Sequence, residues 1–110
     1  MRLILPIVAL FAFGVAAQAQ TAQGVAAGCR HQLSAYEGQP LPNAEAQSQA
    51  GYCVAAIRHI TERQCPQIQI DERAAVRQIV TYIEAHPERS GEPAETVLPD
   101  ALTEQGCKGR

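Results

Sequence analysis

Four cysteines in a short chain set the strongest limit on how it can fold. The chain has 110 residues, and its cysteines stand at positions 29, 53, 65 and 107. An even number of cysteines in so small a domain predicts two disulfide bonds when the chain is exported, and four cysteines allow three pairings. A zinc site is the competing use, but no two cysteines have the C-x-x-C spacing and the histidines lack the usual ligand spacings. We therefore expect disulfides, with no metal and no other cofactor.

The amino-terminal segment predicts export. A single cation precedes an apolar run over residues 3–17, which ends in the small-x-small pattern Ala17-Gln18-Ala19 that signal peptidase cleaves. The run is shorter than the roughly 20 apolar residues that a membrane-spanning helix needs. We therefore expect a signal peptide over residues 1–19, no membrane span, and one mature periplasmic domain over residues 20–110.

A second cleavage pattern competes with this one. The segment Ala26-Ala27-Gly28-Cys29 resembles the small-residue stretch before a lipid-modified bacterial cysteine, which would anchor the chain to a membrane. Polar residues between Gln18 and Gln23 separate this cysteine from the apolar run, whereas a lipid-accepting cysteine normally follows the run directly. Lipid attachment would also leave the other three cysteines without a complete set of pairs. Both points favour cleavage before Gln20.

The composition indicates a core of small aliphatic side chains. Hydrophobic residues make up 46% of the chain, aromatic residues only 5%, and there is no tryptophan. A domain of this size has a thin core, so we expect each disulfide to contribute about 3–4 kcal/mol to folding. The formal net charge is −2, so the chain lacks the basic surplus that attracts nucleic acid, and no nucleic-acid partner is expected.

Three segments have the apolar periodicity of amphipathic helices. The first covers residues 25–36, and the second covers residues 44–63 with Asn43 as its N-cap. The third follows Asp71, which can cap it, and carries the cleanest apolar stripe in the chain. It ends at His86-Pro87 because the residue before a proline is held out of the helical region.

A fourth helical segment is interrupted by a proline. Its apolar residues lie on both sides of Pro99, which has no N–H to donate to the carbonyl of Glu95. We expect either a kink at Pro99 or a helix that starts there. Alternating strand patterns and glycine-rich hairpin turns are absent from the sequence, so it predicts an all-α fold, a small four-helix domain stapled by disulfides.

Helix direction narrows the choice among the three disulfide pairings. If the first two helices are antiparallel, Cys29 near the start of one meets a residue in the middle or later part of the other, which fits Cys53. Cys65 would then pair with Cys107 and tie the chain end to the second connection.

Several features at a joint spacing resemble a known family. They are the Cys65-Pro66 step, the amphipathic run over residues 76–83 that leads into His86-Pro87-Glu88, the Ala101-Leu102 pair, and the late Cys107. Over roughly residues 24–107 the chain resembles the Rap/Tai immunity proteins of bacterial type VI secretion. The family usually has a Gly-Tyr step after its second cysteine, whereas here Gly51-Tyr52 precedes Cys53.

The resemblance implies a function. Members of the family are small, exported, disulfide-bonded helical proteins that often form homodimers and neutralise cell-wall amidases injected into the periplasm. It therefore implies a non-catalytic protein whose partner is a peptidoglycan amidase effector and which blocks that enzyme's active site. The alternative is a periplasmic acid-stress chaperone of the small helical Hde type, for which three histidines and 11 acidic residues supply a protonation trigger.

No catalytic residues are predicted. His31 and His59 have acidic neighbours in the sequence, but no nucleophile, oxyanion donor or orienting group accompanies them. An enzyme is therefore the least favoured interpretation.

Two places are candidate partner contacts. Tyr36 stands beside a loop rich in glycine and proline, which makes it the preferred tyrosine for a partner contact. Tyr52 ranks lower because it adjoins a cysteine, and Tyr82 ranks lower because it lies on the third helix. The second place is a charged, glycine-containing segment between two prolines, and its candidate contact residues are Glu88, Arg89, Ser90 and Glu92. The alternative is that this segment is a solvated linker without a partner. The neighbouring motif His86-Pro87-Glu88 is interpreted as a helix stop in preference to a contact motif.

Overall fold

Residues 21–107 form an all-α domain of four helices. A computed structural model describes residues 21–107, so the predicted signal peptide over residues 1–19 lies outside the described residues. The helices are α1 (Ala22–Tyr36), α2 (Ala44–Gln64), α3 (Glu72–Ala85) and α4 (Ala94–Ala101), and short 3-10 turns cover Pro87–Arg89 and Thr103–Gln105. The predicted all-α, four-helix class is thereby confirmed. Within the described part of the chain, no helix is long and apolar enough to cross a membrane.

Side-chain caps set the start of α2 and α3 where the sequence places them. Asn43 accepts a hydrogen bond from the backbone N–H of Ala46 at 2.8 Å, and Asp71 accepts one from that of Ala74 at 3.4 Å. Each cap satisfies one of the N–H groups that have no partner inside the helix. Both predicted N-caps are thus confirmed. Thr21 caps α1 in the same way, so α1 begins three residues before the predicted start at residue 25.

The fourth helix begins at Ala94, so the second of the two alternatives at Pro99, a helix that starts there, is wrong. Pro99 lies inside the helix and leaves the carbonyl of Glu95 without its usual helical donor. The side-chain amide of Gln64, at the end of α2, donates to that carbonyl at 3.2 Å. The Gln64 side chain therefore supplies a hydrogen bond in place of the one that Pro99 cannot form.

Two disulfides tie the helices together. Cys29 in α1 pairs with Cys53 in α2, and Cys65 at the end of α2 pairs with Cys107 at the end of the described chain. Their Cα atoms are 5.0 and 5.2 Å apart, within the range that a disulfide spans. The pairing that antiparallel helices favoured is the one observed. All four cysteines are buried.

The core lies where α1 packs between α2 and α3, with α4 closing it. Its largest fully buried side chains are aliphatic: Ile79, Leu98, Leu102, Val25, Val76 and Val97. The buried face of α1 consists of small residues, Ala22, Val25, Ala26, Gly28 and Cys29. Since side chains this small keep little distance between helices, α1 can approach its neighbours closely.

Gly28 marks the closest approach of α1 to α2. A Cβ at this position would lie 2.8 Å from the carbonyl carbon of Gln49 and closer still to its oxygen, and 3.5 Å from the Cβ of Cys53. The backbones of the two helices therefore touch one residue away from the Cys29–Cys53 bridge. A glycine and a disulfide together fix how these helices cross.

Candidate functional site

The segment over residues 88–92, proposed from the sequence as a partner contact, is organised around Arg89. The guanidinium donates to the hydroxyl of Tyr82 on α3 and to the carboxylate of Asp100 on α4, both at 2.7 Å. It also donates to Glu92 at 3.2 and 3.1 Å, and its side chain is only 19% exposed. Bonds to Glu92, Asp100 and Tyr82 raise the pKa of Arg89 above its ordinary value. Arg89 thus connects α3, the segment and α4 to one another.

The same segment is joined to the start of α1. The carbonyl of Glu92 accepts from the N–H of Ala22, and the carbonyl of Ser90 accepts from the N–H of Gln23, both at 2.9 Å. The first N–H groups of a helix have no partner within it, so these carbonyls satisfy donors that α1 leaves open. Ser90 and Glu92 therefore hold the segment in place, whereas Glu88 is exposed.

We predict that replacing Arg89 with alanine lowers the melting temperature, because Glu92 and Asp100 lose the cation between them. The matched control is Arg77→Ala, since Arg77 is an exposed arginine on α3 without an ion pair among the described residues. Thermal unfolding followed by circular dichroism measures the melting temperatures of both variants. Equal melting temperatures for the two variants would show that Arg89 does not hold this segment to α3 and α4.

Tyr36, the other proposed contact, is half-buried and already engaged. Its hydroxyl donates to the carboxylate of Glu72 at 2.8 Å, and the guanidinium of Arg73 lies 4.6 Å from its ring centroid. Burial, and then the bond to Glu72, raise the pKa of Tyr36 above its usual value. Tyr36 therefore joins the end of α1 to the start of α3.

His86 ends α3. Its ring Nδ1 donates to the carbonyl of Tyr82 at 2.8 Å, and its ring stacks on that of Tyr82 with centroids 4.0 Å apart. An imidazole that donates to one of the last carbonyls of a helix is a C-terminal stop. These contacts agree with the helix-stop interpretation of His86-Pro87-Glu88.

The exposed aromatic side chain is Tyr52, on α2. Its exposed fraction is 38%, and no other large hydrophobic residue in the described part of the chain is exposed. Ala55, Ala56 and His59 follow it at i+3, i+4 and i+7, so the four residues lie along one face of the helix. We call this face the Tyr52 stripe. Tyrosine is enriched among the residues that dominate binding energy at protein interfaces.

The Tyr52 stripe forms one side of a groove of about 350 Å³. Val25 and Ile60 also line it, and Pro93, Ala94 and Glu95 from the start of α4 form the opposite side. Most of these side chains are apolar, so the groove offers apolar surface that a partner of matching shape would bury. We call it the Tyr52 groove.

The polar groups at the groove are held by one arginine. Arg63 Nη1 lies 3.2 Å from the Glu95 carboxylate and 3.5 Å from His59 Nε2. No serine, threonine or cysteine side chain lines the groove. Among residues 21–107, no three histidine, cysteine or acidic side chains come together as metal ligands. The arrangement offers a contact surface.

Sequence reasoning ranked Tyr52 below Tyr36 because Tyr52 adjoins a cysteine. A signal for Tyr52 was present, however, in the spacing of Tyr52, Ala55, Ala56 and His59 beside the buried stripe of α2. An amphipathic helix with a second apolar stripe next to its buried one has surface left over for a partner.

Comparison with known protein families, curated proteins and solved structures finds no match to this chain. The Tyr52 groove is therefore identified by its geometry.

Proposed function

We propose that this protein is exported to the periplasm, is not an enzyme, and neutralises a peptidoglycan amidase by covering its active site. The observation that carries the proposal is the exposed Tyr52 above an apolar groove, on a scaffold cross-linked by two disulfides. A pre-formed surface loses little conformational entropy on binding, so more of the contact energy appears as affinity.

The disulfides support the proposed compartment. Structural disulfides persist in oxidising compartments such as the periplasm and are rare where cytosolic thiols are kept reduced. All four cysteines are paired, and none is free among the described residues. The apolar run before residue 20 supplies the export signal that such a location requires.

The proposed inhibition works by occlusion. A stable protein complex buries about 800 Å² on each partner, which is more than the groove alone offers, so the interface extends along α2 and α4 around it. Tyr52 would act as the central anchor, and the neighbouring small residues would let the partner approach closely. The choice of an amidase rests on the resemblance of residues 24–107 to the Rap/Tai immunity proteins.

The test is inhibition of a type VI secreted peptidoglycan amidase encoded beside this gene. We expect one equivalent of the oxidised protein to abolish muropeptide cleavage. Tyr52→Ala should weaken binding about 30-fold, the effect of losing a hot spot worth about 2 kcal/mol. Tyr36→Phe is the matched control, because it keeps the ring and removes only the bond to Glu72.

Full amidase activity in the presence of excess protein would contradict the proposal. Suppression of aggregation that appears only in acid would favour the chaperone alternative instead. Loss of inhibition in Tyr36→Phe but not in Tyr52→Ala would move the contact to the end of α1.

A further inference from the structure

Two carboxylates lie at the ends of the Tyr52 stripe. Glu45 stands seven residues before Tyr52, and Glu62 stands seven residues after Ala55. Seven residues are close to two helical turns, so both glutamates lie on the same face of α2 as the stripe. Both are exposed, and neither forms an ion pair with another described residue. The apolar stripe is therefore bounded by negative charge at each end.

A third carboxylate lies in the opposite wall of the groove. Glu95 pairs with Arg63 at 3.2 Å, and Arg63 is the cation closest to it. Glu95 and Arg63 thus offset each other, and Arg58, one helical turn before Glu62, pairs with Glu72. Glu45 and Glu62 remain as the carboxylates without an ion pair on this part of α2.

The predicted mature chain, residues 20–110, has the same sign. All 11 aspartates and glutamates lie in it, together with eight of the nine basic residues, because only Arg2 lies before residue 20. Eight basic residues therefore stand against 11 carboxylates. A domain with this balance attracts cationic partners over distances of about 8–10 Å at moderate ionic strength and repels phosphate-rich ones.

Building on the proposed function, we infer that the Tyr52 groove takes a protein segment with an apolar tip flanked by lysine or arginine. The tip would pack beside Tyr52 and Ala56, above Val25. The flanking cations would meet Glu45 and Glu62. Complementary charge at the rim of an interface speeds association and excludes wrong partners, while the buried apolar contact supplies most of the affinity.

The test uses no amidase, so its failure is separate from failure of the proposed inhibition. A display library of random linear peptides is selected against the immobilised, disulfide-bonded protein, and enriched peptides are synthesised and titrated by calorimetry. We expect enriched sequences to carry one or two apolar side chains between basic residues. Tyr52→Ala should abolish measurable binding of these peptides.

Charge is tested with a double variant, Glu45→Gln with Glu62→Gln. We expect it to weaken binding about fivefold at low salt, as for two exposed ion pairs, and to weaken it much less at high salt. Glu37→Gln is the matched control, because Glu37 is exposed and lies 12 residues beyond Val25 along α1, about 18 Å from it. Circular dichroism confirms that all variants are folded.

Three results would overturn the inference. The first is an absence of enriched peptides. The second is enrichment of acidic or uncharged peptides. The third is binding that Tyr52→Ala or the double variant leaves unchanged, since that would place the contact elsewhere.

Discussion

Replacing Gly28 with alanine is expected to lower the free energy of unfolding by about 3 kcal/mol, the upper part of the range for overpacked cores. The added Cβ would overlap the backbone carbonyl of Gln49, and a backbone atom cannot rotate away as a side chain can. The two helices would have to separate, but the Cys29–Cys53 bridge holds them one residue away. The substitution therefore strains the crossing instead of shifting it.

The matched control for this prediction is Gly51→Ala. Gly51 is also helical, but a Cβ there would meet no atom within 4 Å. Alanine favours the helix over glycine, so this variant should gain about 1 kcal/mol in the free energy of unfolding. Urea unfolding followed by circular dichroism gives both values. If Gly28→Ala left the free energy of unfolding unchanged or raised it, as expected for Gly51→Ala, α1 and α2 would not touch at this point.

Removal of either disulfide is expected to cost a large part of the stability of the domain. Replacing Cys29 and Cys53 together with alanine should lower the free energy of unfolding by about 3.5 kcal/mol, and replacing Cys65 and Cys107 together should lower it by about 4 kcal/mol. The second bridge joins residues 42 apart and the first joins residues 24 apart, so the second restricts the unfolded chain more. Alanine is chosen because all four positions are buried among apolar side chains.

A domain of this size has a stability of roughly 4–13 kcal/mol, so loss of both bridges should unfold it near room temperature. Urea midpoints of the two double variants, and of the oxidised protein with and without reductant, measure the effect. Urea midpoints that stay unchanged after complete reduction would contradict the expected contribution of the disulfides to stability. A larger loss for the Cys29–Cys53 pair would show that the helix crossing matters more than the length of the closed loop.

Local sequence signals predicted the parts of the fold that local interactions determine. Asn43 and Asp71 bond to N–H groups three residues away, so their capping role is visible in the sequence itself. The proline after His86 ends α3 for an equally local reason.

The sequence was less informative where distant residues add bonds, at the first turn of α1 and at Pro99 inside α4. The first N–H groups of α1 bond to carbonyls of Ser90 and Glu92, about two thirds of the chain away. Helix α4 continues through Pro99, and Gln64 bonds to the carbonyl that the proline leaves open. Neither partner can be recognised before the helices are placed in three dimensions.

In the candidate site, too, local features could be predicted from the sequence, whereas contacts between distant residues could not. The sequence selected Arg89 for its charge beside a flexible glycine, but only the fold shows that its guanidinium is engaged by α3 and α4. Tyr52 was ranked lower because it adjoins a cysteine. Cys53 is indeed buried, but adjacent positions on a helix point in different directions, and Tyr52 is exposed. Gly28 looked like part of a lipidation pattern, and its close contact with Gln49 required the crossing of α1 and α2.

The Tyr52 groove and the proposed inhibition both depend on helices that the two disulfides hold in one arrangement. Peptide mapping of the purified protein by mass spectrometry under non-reducing conditions tests this arrangement most directly. We expect Cys29 linked to Cys53, Cys65 linked to Cys107, and no free thiol. Purified protein that carries free thiols and still unfolds at the same urea concentration as the oxidised form would contradict it.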